Sequence, residues 1–158
     1  MREATDDLGT PVVLPTQVGR VVSLVPSLTE SIAATAPKLL VGATDWCTHP
    51  ADLAVARIGG TKNPRLDDVV ALQPDLVIAN DEENRGPDIA ELRSRGITVW
   101  VTGPRTVTDA LSSLHRMLTD CCGQPRPAWL DEAEAVWSRE ASEPGPRMSA
   151  VVPIWRRP

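Results

Sequence analysis

The chain has 158 residues, of which 42% are hydrophobic, and it carries a formal net charge of −5. This length suits one domain of ordinary size and is too short for two. The acidic balance excludes the basic surface that DNA or RNA binding requires, so nucleic acids are discounted as partners. No stretch reaches the roughly 18 apolar residues of a membrane span.

The cysteines and the first 20 residues indicate the cellular compartment of the protein. Cys47 stands alone and Cys121 is followed directly by Cys122, which is not the spacing of a disulfide framework. Residues 1–20 contain acids and two prolines in place of the apolar run of a secretory signal. As written, the sequence therefore predicts a cytoplasmic location.

Five short apolar runs follow one another from Arg20 onward. Their spacing is typical of β-α units, and most are continuous rather than alternating, as parallel strands covered on both faces are. The sequence thus predicts an α/β fold with a mostly parallel sheet flanked by helices in three layers. The runs lie at 20–25, 38–44, 56–60, 75–80 and 97–102.

The first two predicted helices carry start and stop signals. Ser27 and Glu30 have the spacing of a capping box, and Pro37 closes that helix. Asn63 followed by Pro64 predicts an N-cap with proline at the first helical position, in a helix that Pro74 ends.

Three further helices are predicted. One begins at Gly86 and ends at Gly96, and the second is TVTDALSSLHRMLTD, with Val107, Leu111, Leu114 and Leu118 on one face. The third, PRPAWLDEAEAVWSRE, has a stripe of Trp129, Ala133, Val136 and Trp137. A turn at Glu143–Pro146 and a strand in MSAVVPIW follow.

In an open parallel sheet, ligands bind beyond the carboxyl ends of the strands. Small, polar and aromatic residues gather at those ends here: 26–27, 45–47, 60–63, 80–85 and 103–105. Helix capping alone would account for Ser27 and Asn63. Trp46 is either a platform for a flat ligand or a ring packed beneath its loop.

The charged residues of these ends have more than one interpretation. Lys62 and Arg105 are solvated charges or ligand contacts, and the acids at 81–83 are a solvated loop, a cation site or a contact with a basic partner. Asp45, Cys47 and His49 alternate along the chain, but their spacing is not a recognised set of metal ligands.

Enzymatic chemistry finds no support in the sequence. No phosphate-binding glycine loop follows the first strand, no nucleophile elbow occurs, and the two histidines are far apart. His115 is interpreted as a structural residue of its helix. The prediction is a protein that is not an enzyme and that holds no resident metal or cofactor.

Four strings, in order and spacing, resemble the helical-backbone metal receptors, and most of all their cobalamin-binding branch. They are RVVSLVPSLTE, VGATDWCTHP, RIGGTKNPRLDDVVALQPDLVIANDEENR and GITVWVTGPRTVTDAL. This family comprises the substrate-binding proteins of ABC importers for cobalamin and iron chelates. The resemblance covers residues 20 to about 120 and, more loosely, the helix at 127–140.

The resemblance implies a periplasmic-binding-protein-like fold of two lobes joined by one rigid helix, here truncated, in an extracytoplasmic family. The implied organisation is an N-terminal extension (1–19), an N-terminal ligand-binding lobe (20–122), the bridging helix and turn (123–146), and the start of a missing second lobe (147–158).

The same resemblance assigns roles to single residues. Trp46 matches an aromatic residue that packs on the corrin, and Pro26 and Ser27 match a strand-end turn that faces the cleft. Thr61 and Asn80 align with cleft positions that hold tryptophan in a cobalamin binder, so this chain departs from the pattern there. Asp67 aligns with a glutamate that docks on the membrane permease, although an acid near a helix N-terminus also suits the helix dipole.

The first functional hypothesis is therefore a fragment of an ABC-transporter substrate-binding protein for cobalamin or a related metal chelate. Half a cleft is expected to bind weakly or not at all. The stripe with Trp129 and Trp137 is expected to fold back on the lobe or to pair with another copy. The alternative is a small cytoplasmic enzyme or regulatory domain of flavodoxin-like topology. Against this alternative, the sequence has no phosphate-binding loop and no convincing set of catalytic residues.

Overall fold

The computed structural model describes residues 1–142 together with Gly145 and Ser149. It begins with an antiparallel hairpin of β1 (Arg2–Thr5) and β2 (Pro11–Leu14). The five strands that follow form one parallel sheet in the order β5-β4-β3-β6-β7. They are β3 (Val21–Ser23), β4 (Leu40–Ala43), β5 (Ala56–Arg57), β6 (Leu76–Asn80) and β7 (Val99–Thr102).

Within residues 1–142, five α-helices connect and follow these strands. They are α1 (Pro26–Thr35), α2 (Leu66–Ala71), α3 (Gly86–Ser94), α4 (Val107–Arg116) and α5 (Ala128–Ser142). A 3-10 turn at Pro37–Leu39 precedes β4, and a π-helical turn at Met117–Cys121 extends α4. Helices α2 and α3 pack together in one layer, whereas α4 packs against α5 in the other, so the sheet lies between two helical layers.

The predicted α/β class is confirmed, and each of the five apolar runs contains a strand of the parallel sheet. The continuous runs are buried on both faces: β3 is buried throughout, as are residues 76–79 of β6 and all of β7. Trp100 is the largest fully buried side chain among the described residues, and the Arg116 guanidinium lies 5.2 Å from its ring centroid. Because the core has no Phe or Tyr, branched aliphatic residues fill the rest of it.

Two predicted helix starts are wrong. The helix after β3 begins at Pro26 with Val25 as its N-cap, so Ser27 already lies inside the first turn and forms no cap. The following helix begins at Leu66 with Arg65 as N-cap, because Gly59 and Pro64 pair in a local antiparallel bridge just before it. Neither helix has a side-chain cap. Capping therefore explains neither Ser27 nor Asn63.

The other helical predictions agree with the structure. Helix α3 begins at Gly86, and Gly96, which follows its C-cap Arg95, has a φ of 78°, the left-handed conformation that glycine adopts without strain. Helix α4 begins after Thr106, which makes a reciprocal capping box with Asp109. The predicted turn at Glu143–Pro146 and strand in MSAVVPIW lie outside the described residues, apart from Gly145 and Ser149.

Residues 1–19 contribute to the core of the lobe. Val12, Leu14 and Val18 are buried in the same cluster as the sheet. Asp6, which is 2% exposed, accepts hydrogen bonds from the backbone of Leu8 and Thr10 and pairs with Arg93 at 3.0 Å. The alternating burial of PVVL, with every second residue inside, accounts for this packing.

The three cysteines are free and buried. Burial raises the pKa of the Cys122 thiol to about 12 and that of the Cys121 thiol well above its usual value. Both side chains thus serve as small apolar core residues. No helix among residues 1–142 has the length and apolar character needed to cross a membrane.

Candidate functional site

The carboxyl edge of the sheet contains a point where the chain changes direction. From β3 the chain moves outward to β4 and β5, and it then returns to the other side of β3 to form β6 and β7. The loops after β3 and β6 therefore diverge and leave a crevice between them, which is where open parallel sheets bind ligands. Numbered from β3, the strand order is 3-2-1-4-5, which differs from the 2-1-3-4-5 order of flavodoxin-like folds.

A recess of about 340 Å³ lies at this crevice between α1 and α4, and we call it the α1–α4 recess. Ser27 lines it from the start of α1, and Asn80 lines it from the end of β6. Its walls are mainly apolar: Val25, Leu28, Pro104, Ala110 and Leu114. Two of the predicted ligand-binding residues thus share one surface, and Pro26 precedes Ser27 in the same turn of α1.

Asn84 joins the loops of this edge, and its role was not predicted from the sequence. Its side chain is 4% exposed, and its Nδ2 donates to the backbone oxygens of Leu24 at 3.2 Å and of Thr61 at 2.9 Å. Its Oδ1 accepts from the Asn80 backbone N–H at 2.8 Å. One amide group therefore fixes the ends of β3 and β6 and the loop that carries Thr61.

Asn80 stabilises the turn after β6. Its Nδ2 donates to the backbone oxygen and to Oγ1 of Thr102, both at 3.2 Å. Its Oδ1 accepts from the backbone N–H groups of Glu82 and Glu83 at 2.9 and 3.1 Å. The amide is satisfied within the protein, so Asn80 shapes the recess and has little hydrogen-bonding capacity left for a ligand.

Trp46 follows β4 on the same edge and is 68% exposed. Of the two interpretations of this ring, the exposed fraction favours a platform over a ring packed beneath its loop. The indole lies beside Gly60, where a β-carbon would come within 3.4 Å of Nε1 and would collide with the Asn63 amide oxygen. A glycine at position 60 therefore allows the loop with Thr61 to approach the Trp46 ring closely.

The acids at 81–83 differ in their contacts. Arg105 donates to the Asp81 carboxylate, which lowers the pKa of Asp81, and also reaches Glu82 at 3.4 Å. Lys62 donates to the Glu82 backbone oxygen. The Glu83 carboxylate makes no hydrogen bond or ion pair with any residue that the structure describes. Arg105 and Lys62 are thus held at the loop, while Glu83 remains available at the recess.

Asp67 lies away from the recess, in the first turn of α2. Its side chain is 91% exposed and pairs with Arg95, which follows α3, at 2.6 Å. The structure therefore places Asp67 on an open surface of the other helical layer, and its predicted contact with a permease stays a prediction.

The alternating residues Asp45, Cys47 and His49 do not converge. The Cys47 sulfur is buried 3.1 Å from the hydroxyls of both Thr29 and Thr44, whereas Asp45 and His49 are exposed. Within residues 1–142, no group of three His, Cys, Asp or Glu side chains is placed to hold a metal ion.

Helix α5 packs on α1 and α4 and leaves part of its apolar stripe open. Trp129 donates to Thr35 Oγ1 at 3.1 Å and packs on the core, and Trp137 donates to Thr108 Oγ1 at 3.3 Å while 38% exposed. A groove of about 520 Å³ between Val107 and this stripe has Glu132 and Glu140 on its rim. The expected self-association through Trp129 and Trp137 stays a prediction.

No family model matches the chain. Curated relatives do match it: it is 26% identical over 102 residues to the vitamin B12-binding protein of Vibrio parahaemolyticus and 27% identical over 105 residues to that of Vibrio cholerae. These matches cover 63% and 65% of this chain but only 37% and 38% of the relatives. The chain thus matches well under half of the length of each relative.

Solved structures share the fold. A periplasmic heme-binding protein from Pseudomonas aeruginosa matches with a TM-score of 0.62 and 27% identity over 79% of this chain and 44% of its own. The periplasmic vitamin B12-binding protein of Vibrio cholerae matches with a TM-score of 0.64 and 23% identity over 81% and 50%. A periplasmic solute-binding protein from Veillonella parvula reaches 0.69 with 22% identity over 89% and 45%.

These relatives are periplasmic binding proteins rather than enzymes, and the partial coverage fits an amino-terminal lobe of such a protein. The resemblance identified from the four sequence strings is confirmed by both kinds of match. In sequence and in fold, the chain is similar to periplasmic vitamin B12-binding and heme-binding proteins.

Proposed function

We propose that this lobe is one wall of a substrate-binding site for a flat metal-chelate macrocycle, a corrinoid or a heme, in an ABC import system. The observation that carries the proposal is the carboxyl edge of the sheet. There, an exposed Trp46 lies beside the glycine loop, and Asn84 joins that loop to the recess lined by Ser27 and Asn80. The relatives named for vitamin B12 and for heme supply the class of ligand.

The geometry of this edge suits a planar ligand. An indole that is 68% exposed offers a face for stacking, and the polar groups of Asn80 and Asn84 are engaged within the protein. The macrocycle is thus held by apolar contact and stacking, with few hydrogen bonds from this wall. Because the described residues form one wall only, the dissociation constant is expected above about 1 µM.

Replacing Trp46 tests this proposal. Trp46→Ala is expected to weaken cyanocobalamin binding about fivefold, since an aromatic stack contributes about 1 kcal/mol. Trp46→Phe keeps an aromatic ring and is expected to weaken binding less than Trp46→Ala does. Binding is followed by the change in the visible corrin bands. Hemin, titrated in parallel, tests the other ligand class.

Val13→Ala serves as the matched control. Val13 is 50% exposed and its backbone contacts Thr98, before β7, at the opposite edge of the sheet. Equal affinities for the wild type, Trp46→Ala and Val13→Ala would contradict the stacking role. The absence of any spectral change with either macrocycle would contradict the proposed function.

Two further parts of the proposal concern a protein partner and the cellular location. Asp67, with 91% of its side chain exposed, is proposed to contact the membrane permease. The periplasmic relatives support action outside the cytoplasm. The enzymatic alternative is not favoured, because the strand order is not flavodoxin-like and the matched proteins are named as binding proteins.

A further inference from the structure

The polar groups of the α1–α4 recess differ in whether they are free to meet a ligand. Ser31 Oγ donates to the Ser27 backbone oxygen at 2.9 Å, and Thr102 Oγ1 donates to that of Ala79 at 3.1 Å. Ser113 donates to the Asp7 carboxylate. With the Asn80 amide also engaged, two groups of the lining make no hydrogen bond with a described residue: the Ser27 hydroxyl and the Glu83 carboxylate.

The recess therefore offers an unusual combination to an incoming group. Its walls are mainly apolar, and among the described residues that line it the carboxylate of Glu83 is the one charge, with no lysine, arginine or histidine. Two of the nearby cations are held elsewhere, since Arg105 pairs with Asp81 and Lys62 bonds to the Glu82 backbone, and a third, Arg85, lies outside the lining. A ligand carboxylate placed here would face the exposed Glu83 carboxylate with no cation in the lining to compensate it, and like charges repel each other.

We infer that the recess selects a primary-amide side arm of the macrocycle over a carboxylate side arm, so that a corrinoid is preferred to a heme. An amide N–H₂ is a good donor to the Glu83 carboxylate, and its carbonyl accepts from the Ser27 hydroxyl. The volume of about 340 Å³ lies near the lower limit of small-molecule pockets and suits a side arm rather than the whole ring. This inference rests on the proposed function and names its substrate class.

The test compares ligands that differ by one functional group. Cyanocobalamin is titrated beside its three monocarboxylic acids, in each of which one propionamide arm is hydrolysed to a carboxylate. Amide chemical shifts of the ¹⁵N-labelled protein report weak binding. At least one of the three acids is expected to bind about tenfold more weakly than cyanocobalamin, because the arm that enters the recess then carries a charge.

Charge reversal at the recess provides the second part of the test. Glu83→Lys is expected to restore the affinity for that acid and to lower the affinity for cyanocobalamin severalfold. Glu3→Lys makes the same charge change on the exposed β1 strand and is the matched control, with no effect on the preference. Arg85→Gln, which removes the exposed charge two residues from Glu83 but outside the recess lining, is likewise expected to leave the preference unchanged.

Each outcome has a distinct meaning. Equal affinities for cyanocobalamin and all three acids would overturn the inference and leave the proposed function intact. An effect of Glu3→Lys or Arg85→Gln as large as that of Glu83→Lys would overturn it too, by assigning the preference to the overall charge or to Arg85. If neither cyanocobalamin nor hemin binds, the proposed function fails and the inference fails with it.

Discussion

Asn84→Ala is expected to lower the free energy of unfolding by about 3 kcal/mol and the melting temperature by on the order of 10 °C. The substitution removes three hydrogen bonds of a side chain that is 4% exposed, two to backbone oxygens and one from a backbone N–H. A net bond is worth about 1 kcal/mol, and buried backbone groups left without partners add to the cost. Thermal unfolding followed by circular dichroism measures the effect.

The Asn84 variant is also expected to weaken macrocycle binding, because the loop with Thr61 loses its anchor to the end of β6. Asn63→Ala is the matched control: Asn63 is exposed in the same loop as Thr61, and a surface substitution of this kind shifts stability by less than about 0.5 kcal/mol. A melting temperature of Asn84→Ala equal to that of Asn63→Ala would show that Asn84 does not hold the edge together.

Asp6→Ala is the second substitution with a large expected effect, about 2–4 kcal/mol of destabilisation. The carboxylate accepts from two backbone N–H groups at 3.0 and 2.9 Å and pairs with Arg93. Its side chain is fully buried, whereas that of Arg93 is 34% exposed, so solvent screening reduces the contribution of the ion pair and the two backbone bonds carry much of the loss.

Asp52→Ala, at an exposed aspartate of the loop after β4, is the control for this substitution and is expected to be neutral within about 0.5 kcal/mol. Urea unfolding of both variants gives the comparison. A neutral Asp6→Ala would mean that the buried carboxylate and its pairing with Arg93 do not hold residues 1–19 in place.

The sheet was predictable because its strands are continuous apolar runs at a regular spacing, and such runs have few alternatives to burial on both faces. The starts of α1 and α2 were not predictable in the same way. The Ser27–Glu30 spacing of a capping box occurs inside a helix that Pro26 already begins. The antiparallel bridge between Gly59 and Pro64 places Pro64 outside the next helix, which begins at Leu66.

The site was predictable in part for a similar reason. The carboxyl ends of parallel strands must meet at one edge, which places Ser27, Trp46, Thr61 and Asn80 on a common side. The role of Asn84 depends instead on partners 60 and 23 residues away in the chain, and no local pattern of residues reveals such contacts. The free carboxylate of Glu83 likewise follows from which neighbouring acids Arg105 engages, and only the structure gives that.

The most direct test of the account is to map where cyanocobalamin binds on the ¹⁵N-labelled chain. We predict that the perturbed amide resonances cluster at the carboxyl edge of the sheet and that the β1–β2 hairpin is unaffected. The perturbed residues are expected to be 27–28, 45–47, 60–62 and 80–84. Perturbations confined to the groove between α4 and α5, or spread evenly over the surface, would contradict the assignment of the carboxyl edge as the ligand-binding wall.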